Sequence, residues 1–283
     1  MVMKLNKIIV NESSELLDYL YNSIKDKSKN NIKSMLTSGY IYVNNKSITK
    51  YNYNLKPKDT IEIKYNIDGI DIIYEDKNII VVNKPSGLLT VSSEKEKEKT
   101  LYYLVSSYLK KINKNNKIFI IHRLDKDTSG VVMFAKNMNV KNTFQNNWNE
   151  YVKSREYTAV VEGVTKTSGT ITSYLKESNT FVYSSKNKDG KLAITHYTKV
   201  NSNDKYTLLN IKIDTGRKNQ IRVAMKDIGN PIVGDKKYGS TKDPVKRLCL
   251  HHNKLVIYNP FEKKIMTFEC KNPSIFSKLV KNK

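Results

Sequence analysis

The ten residues IHRLDKDTSG, Ile121 to Gly130, hold the densest group of reactive side chains in the sequence. His122, Arg123, Asp125, Lys126, Asp127, Thr128 and Ser129 stand between two apolar runs, KIFI before them and GVVMF after them. Nearby positive charge favours the ionised form of a carboxylate, so Arg123 and Lys126 are expected to hold Asp125 as an anion. Such an anion can act as base, nucleophile or electrostatic stabiliser. The competing reading is a polar turn, because Asp, Ser and Gly dominate turns for conformational reasons. In that reading Asp127, Thr128 and Ser129 close the turn through side-chain-to-backbone hydrogen bonds. The pattern alone does not separate the two.

Other chemistries fit less well. Asp125 and Asp127 are adjacent i, i+2 carboxylates on one turn, which seldom span the ~5–9 Å across a glycosidic bond in the right orientation. Ser129 has no evident His–Asp support and is a poor candidate nucleophile. There is no P-loop, dinucleotide fingerprint or zinc pattern. The run CLHH, Cys249 to His252, invites a metal reading, but Cys249 and His251 alternate on a strand-like segment and no second ligand pair has metal spacing. A packed strand with one exposed histidine is expected there, and no metal.

The elements that must position these groups can be read from periodicity. Strands are expected at DIIYED, NIIVVNK, KIFI, GVVMFAK, SREYTAVVEG, ITSYLKES, LAITHYTKV, YTLLNIKID, LCLHHNKLVIY and KIMTFEC. Helices are expected at TLYYLVSSYLKKI, VKNTFQNNWNEY and PSIFSKLVK, with a short basic one within TGRKNQIRVAM. SSEKEKEKT, residues 92–100, reads as a charged loop. The sum is an α+β domain over residues 71–283, mainly antiparallel sheet with a few helices.

Residues 1–65 read as a smaller α+β unit, joined by a linker at 66–70. SSELLDYLYNSI has helical spacing and opens on Ser13 and Ser14, good cap residues. KSKNNIKSMLTSG is a second helix ending at Gly39, IYVNNKSI a hairpin around Asn44-Asn45, and LKPKDTIEI a turn into a strand. Lys25, Lys27, Lys29 and Lys33 cluster at or near the start of the second helix. A helix N-terminus with lysines suits phosphate, and a solvated helix face is the plainer alternative.

The whole chain has 283 residues, 39% of them hydrophobic, and a net charge of +23 from 50 Lys+Arg against 27 Asp+Glu. A surface so positive attracts polyanions. Nucleic acid is the first candidate partner and anionic membrane the second, while a Lys- and Asn-rich compositional bias needs no partner. The two cysteines fit a reducing compartment rather than a disulfide framework. No apolar run has membrane-spanning length, and the first residues contain no cleavable apolar segment. A soluble, cytoplasmic protein is therefore expected. It is expected to be a monomer, since no exposed heptad is visible.

HRLDKDTSG, His122 to Gly130, resembles the signature of the RluA family of pseudouridine synthases. Four further blocks in family order also resemble it: NKPSGL (83–88), REYTAVVEG (155–163), GKLAITHY (190–197) and TGRKNQIRVAMKDIGNPIVGDKKYG (215–239). LLDYL, the Ser28-Lys29 helix start, SGYIYVNNK and KPKDTIEI resemble an S4 RNA-binding domain, which gives the lysines of that unit a use. The pairing is similar to the large-subunit rRNA branch of the family.

The resemblance implies a mixed-sheet, mainly antiparallel synthase domain behind an S4-like domain. It implies Asp125 as the essential aspartate, Tyr157 as the active-site tyrosine and Arg222 as the arginine paired with the aspartate. It also implies RNA contacts at Arg123, Arg217 and Lys218 and at the S4-like lysines. The reaction would break N1–C1′ of a uridine, rotate the uracil and join C5 to C1′, with Asp125 adding to the base or sugar or deprotonating C2′. It is redox-neutral and internal, so no cofactor is expected. The substrate suggested first is 23S-type rRNA. A tRNA-directed enzyme is the alternative within the class, and a catalytically silent RNA-binding ribosome-assembly protein the alternative outside it. The chain departs from the family at Lys218-Asn219, at Ala224 and at Arg155, where Thr-His, His and Lys are usual.

Overall fold

The computed structural model describes residues 8–25, 27–63, 67, 69–92 and 100–281. The chain divides into two compact units, residues 1–68 and 69–283. The linker expected at 66–70 lies partly, and the charged loop at 92–100 mostly, outside the described residues.

In the first unit the opening helix begins later than its serines suggest. Ser14–Glu15 is extended and pairs with Asn54–Leu55, and the helix Leu16–Ser23 has no side-chain cap. The first helical N–H groups are satisfied from across the chain instead, Leu16 donating to Tyr53 O (2.8 Å) and Leu17 to Tyr51 O (3.2 Å). The second helix, Lys29–Thr37, does have its cap: Ser28 Oγ accepts from Asn31 N at 3.3 Å. Asn44 and Asn45 have φ of 49° and 67°, the left-handed pair that a two-residue hairpin between Ile41–Val43 and Lys46–Ser47 demands. Leu16, Leu20, Ile32, Leu36, Ile41 and Ile61 form the buried interior, while Lys25, Lys29 and Lys33 are exposed and Lys27 half-buried.

The second unit is built on one eleven-stranded sheet. In space the strands run Val182–Ser184, Ser168–Glu177, Lys191–Ser202, Tyr206–Ile213, Val152–Glu162, Leu250–Asn259, Ser129–Ala135, Ile79–Lys84 and Asp71–Glu75. Phe119–Ile120 also pairs with Ser129–Ala135, and Lys264–Glu269 with Leu250–Asn259. The pairings are antiparallel except one. Ser129–Ala135 and Leu250–Asn259 run parallel and meet in only two registered pairs, Ser129 with His251 and Gly130 with His252. The mixed, mainly antiparallel α+β architecture is thus the one expected. Among the described residues no helix is long and apolar enough to cross a membrane.

Ser129–Ala135 is buried at all seven positions, the mark of a strand covered on both faces. It packs with Ile79, Val81, Phe144, Leu255 and Phe268. The helix expected over 140–151 is broken in two, Met138–Asn146 and Trp148–Tyr151. Asn147 leaves helical geometry at φ −119°, ψ 32°, and its side chain donates back to Thr143 O at 3.0 Å.

Two local expectations are corrected. Neither histidine of CLHH is exposed, His251 keeping 2% and His252 1% of its surface, because their strand lies in the middle of the sheet rather than at its edge. Ser129 does not close its own turn. Its Oγ meets His251 Nδ1 at 2.8 Å and accepts from Arg247 Nη2 at 2.7 Å, tying the two parallel strands together beside their short register.

Candidate active site

A cleft of about 850 Å³ opens on the second unit. Asp125, Tyr157, Arg222, Arg123, Arg217 and Lys218 all line it, and Leu124, Val152, Ile213, Ile221 and Leu250 give it apolar wall. The structure therefore brings together the six second-unit residues to which the resemblance gives a catalytic or RNA-contact role.

Asp125 sits on the loop that feeds Ser129–Ala135, and the backbone is clamped on both sides of it. Before it, Thr90 Oγ1 donates to Leu124 O (2.7 Å) and accepts from Leu124 N (3.2 Å). After it, the Lys126 carbonyl accepts from Gly87 N (3.0 Å) and from Lys84 Nζ (2.8 Å). Ser86 Oγ donates to Asp127 O at 2.6 Å. Lys84, fully buried at the end of its strand, also donates to Pro85 O (3.0 Å) and Leu88 O (2.6 Å). Burial pulls its pKa down to about 7 against the charges of Asp127 and Asp125, while three carbonyl acceptors use all three hydrogens of the ammonium. Lys84→Met strands those carbonyls. It is expected to cost about 2–3 kcal/mol in denaturant unfolding and roughly 10–100-fold in kcat, by loosening the aspartate's loop. A Lys84→Met protein with unchanged kcat would contradict this positioning role.

Tyr157 lies on Val152–Glu162, where the register against Leu250–Asn259 shifts between Glu156 and Tyr157. Such irregularities re-aim side chains next to sites. Its ring stacks on His252 at 4.5 Å between centroids and 22° between planes. Burial pushes the phenol pKa up to about 12, so it is a neutral hydroxyl throughout the physiological range. His252 Nδ1 meets Val131 O at 2.7 Å, and its Nε2 is buried with no partner among the described residues.

Arg222 enters on the helix Gln220–Asp227. Its Nη1 lies 3.8 Å from Asp125 Oδ2. Its closer partner is one the sequence did not indicate: Asp235 accepts from Arg222 Nε and Nη2, both at 2.7 Å. Asn219 Oδ1 accepts from Nη1 (3.2 Å), the Tyr238 ring lies 4.8 Å from the guanidinium, and Asn219 Nδ2 donates to the Tyr238 hydroxyl at 2.9 Å. Burial works against the Arg222 charge, but the hydrogen bond and charge of Asp235, with Asp125 beyond, hold its pKa above the ordinary value. Asn219, one of the departures from the family pattern, turns the chain into this helix at φ 53°, a conformation Asn tolerates.

The electrostatics of Asp125 differ from the expectation. Burial raises its pKa and outweighs the pull of Arg222, Arg123 and Lys84. Its side chain keeps 27% of its surface, yet it sits at the floor of a concave site. Lys126 is exposed, and Lys84, reaching in from another strand, takes the part assigned to it. Along the cleft wall, Arg155 Nη2 donates to Asp214 O (2.6 Å) and its guanidinium lies 5.9 Å from the Trp148 ring. A Cβ on Gly216 would meet Arg155 Nη1 at 2.5 Å, so a larger residue there would have to displace the end of that side chain. Arg217 Nε donates to Leu192 O (3.1 Å), and Lys218 pairs with Glu177 (2.8 Å) at the exposed rim.

Asp235, Lys84, Thr90 and Trp148 received no role from the sequence. Asp235 and Lys84 lie inside the blocks GDKKYG and NKPSGL, so the resemblance marked their segments without marking what they hold.

Residues 78–227 match the family described as RNA pseudouridylate synthase, and residues 16–61 match the S4 domain. The uncharacterized RNA pseudouridine synthase YlyB of Bacillus subtilis is 31% identical, over 96% of this chain and 95% of that protein. The ribosomal large subunit pseudouridine synthase D of Borreliella burgdorferi is 37% identical, over 70% of this chain and 65% of that protein. Among solved structures, human RNA pseudouridylate synthase domain containing 4 shares the fold, with a TM-score of 0.60 at 22% identity over 73% of this chain and 90% of that one.

Proposed function

The chain belongs to the RNA pseudouridylate synthase family, and on that footing we propose that it isomerises uridines of large-subunit ribosomal RNA, with Asp125 opening the reaction. The enzyme is an isomerase acting on RNA, and it carries an S4 domain. The observation that carries the assignment of residues is the convergence of Asp125, Tyr157 and Arg222 in one cleft. A binding-only protein has no need of a clamped, desolvated carboxylate beside a guanidinium.

In this reading a uridine is drawn out of its RNA helix and its uracil ring lies against Tyr157. Asp125 supplies the electron pair that starts cleavage of N1–C1′, at the base, the sugar or C2′–H. Arg222, locked by Asp235, steadies the carboxylate without neutralising it by a direct hydrogen bond. After the ring turns and C5 joins C1′, the proton on C5 leaves close to the Tyr157 hydroxyl, which is a neutral donor or acceptor there. Lys25, Lys27, Lys29 and Lys33 in the S4 domain, with Arg217 and Lys218 at the cleft rim, contact phosphates. The choice of ribosomal RNA follows the name of the large-subunit relative and the S4 domain that precedes the catalytic unit in the chain.

The test is incubation with ribosomal RNA and with bulk tRNA, followed by mapping of pseudouridine by chemical modification and primer extension. Product in large-subunit RNA supports the assignment, and product in tRNA alone overturns the substrate class.

Arg123 lines the cleft two residues from Asp125 and is exposed. Its side chain is proposed to fill the space a displaced uridine leaves. Extruding a base from a duplex costs a few kcal/mol. Arg123→Ala should therefore raise KM on folded RNA roughly tenfold or more while sparing a short unpaired substrate. Equal losses on both would remove this role.

A further inference from the structure

Trp148 is the chain's one tryptophan, and it stands on the wall of the catalytic cleft, partly buried against the core and partly open. Its placement is rigid. A file of rings runs beneath the cleft: Tyr157 stacks on His252, His252 meets His122 edge-on at 6.1 Å, and His122 lies 5.4 Å from Trp148. The catalytic phenol and the indole are therefore linked through packed rings, with His122 on the loop before Ser129–Ala135 and Trp148 on the helix Trp148–Tyr151. Arg155 flanks the indole at 5.9 Å and is itself anchored to Asp214 O. His122 Nε2 accepts from Met133 N at 3.1 Å, so the neutral ring carries its proton on Nδ1, which has no partner among the described residues.

The cleft also has room. Its volume of about 850 Å³ lies near the top of the roughly 300–1,000 Å³ range of sites that hold drug-sized ligands, more than one flipped nucleoside requires. Aromatic and arginine side chains are the usual platforms for unpaired RNA bases.

We propose that Trp148, flanked by Arg155 and His122, is a second nucleobase site, on which the base adjoining the isomerised uridine stacks while the uracil lies against Tyr157. This rests on the reading of the cleft as the RNA site. It makes recognition bipartite: Asp125 and Tyr157 take the uridine, and the indole takes its neighbour by its π-face, with an N–H of His122 and the guanidinium of Arg155 available to its polar edge.

The single indole makes the proposal directly measurable, because intrinsic tryptophan fluorescence of the full chain reports this position alone. The probes are single-stranded RNA pentamers with a central uridine, one complete and two with an abasic nucleotide on one or other side of it. The complete pentamer should quench the fluorescence in a saturable titration. One of the abasic pentamers should bind more weakly by a factor of roughly 5–150, the worth of one stacked base, with most of the quenching lost. Trp148→Phe should raise KM severalfold and Trp148→Leu by more, with kcat and the melting temperature moving little, since a merely structural indole would not distinguish an aromatic from an aliphatic replacement in KM alone. Equal binding and quenching by all three pentamers, or no quenching, would sink the proposal. Pseudouridine formation measured in the same samples separates it from the reaction: product without sensitivity to abasic neighbours removes the platform alone, and abasic-sensitive quenching without product from any RNA removes the catalytic reading alone.

Discussion

Asp125→Asn is expected to lower kcat/KM by on the order of 10⁴-fold or more, since on the proposed mechanism it removes the group that opens the reaction, while RNA binding stays close to that of the unaltered protein. The same substitution should leave the fold as stable or more stable at neutral pH. Burial holds the Asp125 pKa above its ordinary value, so the folded protein keeps this proton to a higher pH than the unfolded chain does. Stability is then lost as pH rises through the window between the ordinary and the raised value, and asparagine, which never ionises, escapes that loss. Gain in one property with loss of the other is the signature of a residue held in a costly environment for its chemistry. The acid limb of the pH–rate profile should accordingly lie above the ordinary carboxylate range, and Arg222→Gln should move it higher still by removing the strongest of the charges that oppose burial. Kinetics across pH, with thermal unfolding of both proteins, checks all of this. Residual turnover by Asp125→Asn above about one part in a hundred of the original would overturn the mechanism.

Asp235→Asn should also be damaging, by about two orders of magnitude in rate, although Asp235 does not line the cleft. Its two oxygens hold both forks of Arg222 at 2.7 Å, and it keeps only 2% of its surface. With that charge gone, the Arg222 guanidinium is left buried with Asp125 as the carboxylate within 4 Å. Breaking one side of a buried ion pair typically costs about 3–5 kcal/mol, which should appear in the unfolding free energy. Arg222 is then expected to swing into direct contact with Asp125, pairing the carboxylate that must react. A misplacement of about 1 Å can cost ~10²-fold in rate. The expected result is a loss in kcat of that order with KM little changed and the acid limb shifted downward, because a closer cation favours the charged form. An Asp235→Asn enzyme with normal kcat would show that Arg222 needs no such restraint.

Much of this arrangement is legible in the amino-acid order. The loop of Asp125 stands out because reactive side chains crowd between two apolar runs, and the strands stand out because one covered face imposes alternation. The resemblance of five ordered blocks carried Tyr157 and Arg222 to the same site, which no local property of those residues could have done. What escaped depends on long-range geometry. The stronger partner of Arg222 lies 13 positions away, across a helix and a turn, where spacing alone does not distinguish Asp235 from any other acid. Lys84 looks like the charged end of a strand, and only the convergence of two loops turns it into a buried clamp. The charge balance at Asp125 was read from its sequence neighbours, yet burial, which no neighbour reveals, decides its direction. The start of the first helix was misplaced because the carbonyls that replace its serine cap come from Tyr51 and Tyr53, close in space but far along the chain.

The strand Leu250–Asn259 joins the two halves of the large sheet, lying between Val152–Glu162 and Ser129–Ala135 although it follows both in the chain. In chain order, therefore, Asp125, Tyr157 and Arg222 all come before the segment that unites the two halves of their sheet. A chain cut short of Leu250 would contain all three residues and lack the strand that joins the sheet around them.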